Sequence, residues 1–202
     1  MRRRDTVIDY WFGSDADELA DATIAGRQSK LWWGKNADVD ADIRSRFEEL
    51  VEPAARGTLD DWKREPGGWL ALILVTDQFP RNIHRDTPAM FGFDGAARRL
   101  CVEGTESGVD RRLRPIQRVF FYLPLEHSED ADDQARCVAL MRALAGTVPN
   151  GERGVFQGFV DYALAHKRII DRFGRFPHRN EILGRESTAA ERAFLREPGS
   201  SF

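Results

Sequence analysis

Apolar residues recur along the chain at intervals of three and four rather than two, and Gly, Pro and N-capping residues punctuate them, so the pattern predicts helices throughout. A short first helix, capped by Asp5, carries Ile8, Trp11 and Phe12 and stops at Gly13. Residues 14–35 are less regular, with Leu31, Trp32 and Trp33 as a docking patch. From about Asp38 a longer helix presents Ile43, Phe47, Leu50, Val51 and Ala54 on one face and ends at Gly57, leaving Asp40 solvated near its start. Thr58 and Asp61 then open a brief turn around Trp62. Pro66 to Phe79 is apolar nearly all round, which predicts a central helix that Pro80 terminates. Helices follow from Thr87-Pro88, from Pro115 (with Pro124 bending or ending it), from a Ser128 cap through Met141 and Leu144, from Gly154 to Arg172, and from the Thr188/Glu191 capping box. No Gly/Ser-rich or Pro-rich linker interrupts them, so residues 1–202 read as a single all-helical domain. Short loops make successive helices antiparallel neighbours, hence a bundle or stacked helical hairpins.

Composition narrows the function classes. With 42% hydrophobic and 31% charged residues the chain can fill a sizeable core and is no disordered segment. A net charge of -3 provides no field to recruit nucleic acid or an anionic membrane. The strongest apolar run, Trp69 to Val75, is too short to cross a bilayer, and the start, Met1, Arg2, Arg3, Arg4, Asp5, leads into no signal-peptide core. The expectation is a cytoplasmic protein. Cys101 and Cys137 lack CxxC spacing and read as small core residues.

Candidate chemistry comes from polar groups that fall where the helical period puts apolar ones, since burying such a group unpaired costs about 1–3 kcal/mol. Asp77 shares a face with Leu70, Ile73 and Leu74, and His166 lies on the stripe of Phe159, Ala163, Ile169 and Ile170. His127 follows Val119, Phe120 and Leu123, with Glu129 close by, and Asp94 sits between Met90 and Ala97. Asp77, His127, Glu129 and His166 are therefore the candidates for an acid-base site inside the bundle. Imidazole and carboxylate also suit a transition metal, but neither HExxH nor paired Glu-x-x-His is present, so no metal ligands are assigned and no cofactor is identified. The competing explanation is that Asp77 pairs with an arginine and His166 with a neighbour, holding helices in register.

A second constellation is basic. The chain repeats one phrase, Phe79-Pro80-Arg81-Asn82 and Phe176-Pro177-His178-Arg179-Asn180, each time just past an apolar helix. Arg81, Asn82 and Arg85 at one exit, and Arg172, Arg175, His178, Arg179, Asn180 and Arg185 at the other, would form one pocket for a carboxylate or phosphate if the exits meet. These arginines would otherwise cap helix ends and pair with Asp77, Asp94, Asp171 and Glu181. A small anionic ligand or a peptide is the expected partner.

Three runs carry a resemblance: LALILVTDQFPRNIHR (70–85), FFYLPLEHSED (120–130) and RFGRFPHRNEILGREST (172–188). With Trp11-Phe12-Gly13, Trp32-Trp33 and the stretch from Gly57 to Trp62, the chain resembles the bacterial domain-of-unknown-function 924 family over almost its whole length. The resemblance implies an all-α, tetratricopeptide-like fold and no established activity. It marks Asp77, Gln78, Arg81, Asn82, His127, Glu129, His166, Arg172, Arg175, His178, Arg179 and Asn180 as signature positions. Glu126 departs from the pattern, since a methionine or another apolar residue is expected there.

Overall fold

Every regular element among the described residues is helical, as the three-and-four spacing requires, and no strand occurs among them. The computed structural model describes residues 3–201; Met1 and Arg2, part of the basic start noted above, and Phe202 lie outside the described residues. In chain order the helices are α1 (Arg3–Phe12), α2 (Asp21–Trp33), α3 (Ala37–Ala55), α4 (Pro66–Ile73), α5 (Phe79–Ile83), α6 (Asp94–Ser107), α7 (Pro115–Glu126), α8 (Ala131–Thr147), α9 (Arg153–Phe173) and α10 (Ala189–Phe194). The apolar α4 packs against α1, α6 and α7, and Leu70 to Val75 are all fully buried. Around it α7, α8 and α9 pack successively, α8 and α9 lying side by side. No described helix is long and apolar enough to cross a membrane.

The predicted face of α3, with Ile43, Phe47, Leu50, Val51 and Ala54, is buried as a unit. Trp11, Phe12, Trp32, Phe79 and Phe120 form an aromatic cluster with centroid distances of 4.6 Å for Trp32 and Phe120 and 5.6 Å for Trp11 and Phe79. Trp32 Nε1 donates to the Trp11 carbonyl at 2.8 Å. Cys101 and Cys137 are free thiols in the core.

Several boundaries and placements differ from expectation, two of them because a distant group supplied what local sequence lacked. The irregular stretch after Gly13 contains α2, whose Ala20 N-cap offers no side chain. Glu152, from the loop before α9, accepts the Ala22 N–H at 2.9 Å instead, doing the work of a cap from 130 residues away. Ser128 does not cap α8; Asp130 does, accepting from Asp132 and Asp133. Asp5 lies inside the first turn of α1, and residues 88–91 form a separate 3-10 turn before α6. Asp40 is not solvated: it accepts from both Arg85 Nε at 2.6 Å and Asn82 Nδ2 at 2.8 Å, tying α3 to the end of α5.

The most consequential difference is at Pro80, which does not end the central helix. The chain passes from α4 through a π-helical turn, Leu74–Gln78, into α5, and the Phe79 N–H bonds to the Leu74 carbonyl five residues back. Proline has no N–H and its ring would clash with the carbonyl four residues earlier; widening the turn by one residue before it relieves both problems.

Gly104 of α6 faces the Phe121 ring so closely that an added Cβ would lie 2.3 Å from Phe121 Cζ. Overpacking at such a contact costs about 1–3 kcal/mol, more than the helix-propensity gain of about 1 kcal/mol when the buried ring cannot yield. Gly158 of α9 has open space at its Cβ position. Thermal melts should therefore show Gly104→Ala destabilised and Gly158→Ala stabilised by about 0.5–1 kcal/mol; two shifts of the same sign would rule out a rigid α6–α7 contact.

Candidate functional site

The π-turn places Asp77 wholly inside the protein, where the C-terminal end of α7 meets it. His127, the C-cap of α7, has Nδ1 2.8 Å from Asp77 Oδ1. Arg81, one helical turn after Asp77, reaches the same oxygen at 3.3 Å, and Gln78 Nε2 donates to Oδ2 at 2.5 Å. Burial pushes the Asp77 carboxyl up, but His127, Arg81 and the hydrogen bonds from His127 and Gln78 outweigh it and hold the group well below the usual carboxylate range. An ionised carboxylate only accepts, so His127 carries its proton on Nδ1 and donates it to Asp77. Burial, then Arg81, lower the His127 pKa against the pull of Asp77, which keeps the imidazole neutral and its Nε2 lone pair available. Nε2 makes no hydrogen bond with any described residue.

Gln134 fixes where His127 stands. This fully buried α8 side chain donates to the carbonyls of Glu126 at 2.6 Å and Ser128 at 2.8 Å, satisfying the frayed end of α7. Sequence reasoning missed Gln134, although it interrupts the apolar stripe of Cys137, Val138 and Met141 as Asp77 interrupts that of α4.

The two repeated exits do meet. Arg81 donates to Asp94 Oδ1 at 2.8 Å, and Arg179 Nη1 lies 3.7 Å from Asp94 Oδ2. The Phe91 ring stands against both guanidinium groups, at 5.6 Å from Arg81 and 4.8 Å from Arg179, and Phe176 covers Arg179 at 4.5 Å. Arg179 is 7% exposed, and its guanidinium donates no hydrogen bond to a described residue; its Nε is buried and unsatisfied. Burial, then Arg81, lower its pKa to about 10, still far above neutrality. Next to it opens a cavity of about 240 Å³, lined by Asp94, Gly95, Pro124, His127, Glu129 and Arg179 among others.

The remaining candidates take other positions. Glu129 reaches the cavity edge but is bound to Arg185 by two hydrogen bonds, at 2.7 and 2.9 Å, and accepts the Phe176 N–H at 2.8 Å. These contacts hold its pKa down despite burial, and its role is to fix the second exit. His166 stands behind His127, ring centroids 6.4 Å apart, with Nδ1 2.9 Å from the Tyr162 carbonyl; burial lowers its pKa to about 3. The His178 ring packs at a tilt against Phe176, centroids 5.5 Å apart, its pKa lowered to about 4 by burial and Arg179. Of the candidate positions only His127, Glu129 and Arg179 line the cavity. Asn82 is held by Asp40, Asn180 donates to Ser187 at 3.0 Å, Arg175 is clamped by Glu191 at 2.6 and 2.8 Å, and Arg172 covers the rings of Phe173 and Phe194. Among the described residues no group of three or more His, Cys, Asp or Glu converges as metal ligands would.

Of the three runs that carried the resemblance, the second and third line the cavity and the first supplies Asp77 and Arg81 beside it, while Asp94, Gly95 and Arg98 of α6, outside all three, complete the lining. The family described as bacterial protein of unknown function (DUF924) matches residues 7–199. The chain belongs to that family. It is also similar to a solved structure, that of a protein of unknown function from Agrobacterium tumefaciens, with 35% sequence identity, a TM-score of 0.78 and 96% of each chain covered. No curated protein matches it.

In this DUF924 chain Glu126, the position where the resemblance led us to expect an apolar residue, is buried, with Oε1 3.4 Å from His166 Nδ1 and Oε2 4.0 Å from Cys137 Sγ. Burial, with Asp77 nearby, pushes its pKa up to about 8, so the carboxyl is mostly protonated at neutral pH.

Two stability measurements probe this arrangement. Asp77→Ala leaves Arg81 and His127 around a missing charge and should cost about 3–5 kcal/mol, against about 1 kcal/mol or less for the exposed Asp38. Equal denaturant midpoints for the two variants would refute the clasp around Asp77. For Glu126 the folded pKa lies above the unfolded one, so the fold favours the protonated form and stability is lost as pH rises between them. Relative to Glu126→Gln, the wild type should lose about 1.4 kcal/mol per pH unit from about pH 5 to about pH 8, the comparison cancelling the histidines. Parallel pH profiles of the two proteins would show that Glu126 is not held protonated.

Proposed function

We propose that the cavity beside Arg179 binds a small anionic molecule and that His127 acts there as an acid-base group. One observation carries the reading: a buried guanidinium that donates no hydrogen bond to a described residue stands at the same cavity as the available ring nitrogen of half-buried His127, which is paired with buried Asp77. Leaving a buried cation without hydrogen bonds is costly, and a bound anion would supply them. The cavity volume, about 240 Å³, lies below the roughly 300–1,000 Å³ of drug-sized sites and suits a small molecule. The Asp77–His127 geometry suits proton transfer with a bound substrate or water, because the ionised carboxylate stabilises the imidazolium that forms when Nε2 takes a proton. No side-chain nucleophile stands ready: Ser128 Oγ, the nearest hydroxyl in sequence, donates to Asp133 at 2.6 Å. A tetratricopeptide-like scaffold holding a peptide is the alternative, and the exposed rings of Trp33 and Tyr162 favour it; neither lines the cavity.

Arg179→Met distinguishes the two. In anion-free buffer it should be at least as stable as the wild type, because it removes an incompletely paired buried charge. Propionate should stabilise the wild type, by about 2.7 kcal/mol at a hundredfold excess over Kd, and leave Arg179→Met unmoved in thermal melts. Equal responses of the two proteins would remove Arg179 from any anion site.

A further inference from the structure

We propose that the ligand of this cavity is a monovalent carboxylate bearing its own hydrogen-bond donor on the neighbouring carbon, as in a 2-hydroxy or 2-amino acid. The inference rests on the anion-site reading above and specifies its substrate class.

Charge sets the valence. Each other cation near the cavity is already committed: Arg98 to Asp133 through two hydrogen bonds, Arg185 to Glu129 through two more, and Arg81 to Asp77 and Asp94 together. Among these, Arg179 alone donates no hydrogen bond to a described residue, its one carboxylate contact being the 3.7 Å approach of Asp94. Asp94 and Glu129 line the same cavity, so a second negative charge on the ligand would meet carboxylates rather than a second free cation. Inorganic phosphate dianion and dicarboxylates are disfavoured on this ground.

Acceptor geometry sets the donor. Asp94 Oδ1 takes the Arg81 N–H, but Oδ2 has only the 3.7 Å contact with Arg179, too long for a hydrogen bond. His127 Nε2 is likewise unengaged, since Nδ1 serves Asp77. Two acceptors without a hydrogen bond and one guanidinium without a hydrogen bond therefore belong to residues that line a single cavity. A plain carboxylate would satisfy Arg179 yet leave both acceptors facing its own oxygens or its alkyl chain. A carboxylate with an adjacent hydroxyl or ammonium meets all three: oxygens on Arg179, the donor on His127 Nε2 or Asp94 Oδ2. A hydroxyl placed on Nε2 is also the proton that the Asp77–His127 pair is arranged to accept.

Matched skeletons test this on the intact protein. Propionate, lactate and alanine differ only in CH₂, CHOH or CHNH₃⁺ beside the carboxylate; hexanoate, 2-hydroxyhexanoate and norleucine repeat the comparison with a longer chain. Binding is read by calorimetry and by the ¹⁵N resonances of His127. Lactate or alanine, or the longer counterpart, should bind about tenfold or more tighter than its unsubstituted parent and shift Nε2 while Nδ1 stays protonated. The parent acid should leave Nε2 unmoved. Asp94→Asn, which keeps an acceptor but removes charge, should weaken the amino acids more than the hydroxy acids. Inorganic phosphate should bind more weakly than the best monoanion. Equal affinities for parent and substituted acids, or tightest binding of phosphate, would overturn the proposal while the anion site stood, provided Arg179→Met abolished binding. Failure of every acid and of phosphate to bind the wild type would overturn the anion site itself, and this proposal with it.

Discussion

A single buried carboxylate organises the molecule. Asp77 sits at zero exposure among the apolar residues of the central helix, where an isolated charge would be untenable, and its surroundings answer to that constraint. His127 must bring the end of α7 to it, Arg81 must turn inward rather than out to solvent, and Gln78 must close the second oxygen. The π-turn that Pro80 favours is what aligns these groups, since an unbroken α-helix would rotate Asp77 about 100° relative to the residues after it. Structure and chemistry have the same origin here: the interaction that stabilises the buried charge also fixes the tautomer of His127 and directs its other nitrogen away from Asp77.

The arginines around this centre divide by what they touch. Arg85 with Asp40, Arg98 with Asp133, Arg175 with Glu191 and Arg185 with Glu129 are each held by two hydrogen bonds to one carboxylate, a geometry that spends the guanidinium fork on holding segments together. Arg179 differs in kind. Rings cover it at Phe91 and Phe176, Arg81 repels it, and its nearest carboxylate lies at 3.7 Å. Proteins tolerate a poorly compensated charge where function uses it, and the contrast with these four arginines, each hydrogen-bonded twice to a carboxylate, is the basis for placing a ligand here.

Glu126 adds a second titratable group behind the first. Its protonation at neutral pH leaves Asp77 as the one ionised carboxylate bonded to His127, which keeps the local charge balance of Asp77, Arg81, Asp94 and Arg179 near zero. An apolar residue at this position would have the same electrostatic consequence, so the departure leaves the site's chemistry intact while adding a pH dependence to stability.

Helical class, the buried face of α3, the Thr188 capping box and the interior placement of Asp77, His127 and His166 were all legible in the sequence, because helical periodicity and capping are local rules and a polar residue on an apolar stripe is visible without coordinates. The repeated Phe-Pro phrase likewise pointed to Arg81 and Arg179 as partners. What sequence could not decide is which of several chemically equal arginines is buried at the cavity without a hydrogen bond. Arg172, Arg175 and Arg179 are alike in one dimension; only the approach of Glu191, of the Phe173 and Phe194 rings and of Asp94 separates them. The same holds for α2, capped by Glu152 from far along the chain, and for Asp40, paired with Arg85. Pairing of charges and satisfaction of helix ends depend on distances between segments remote in sequence, and those distances exist only once the helices have packed.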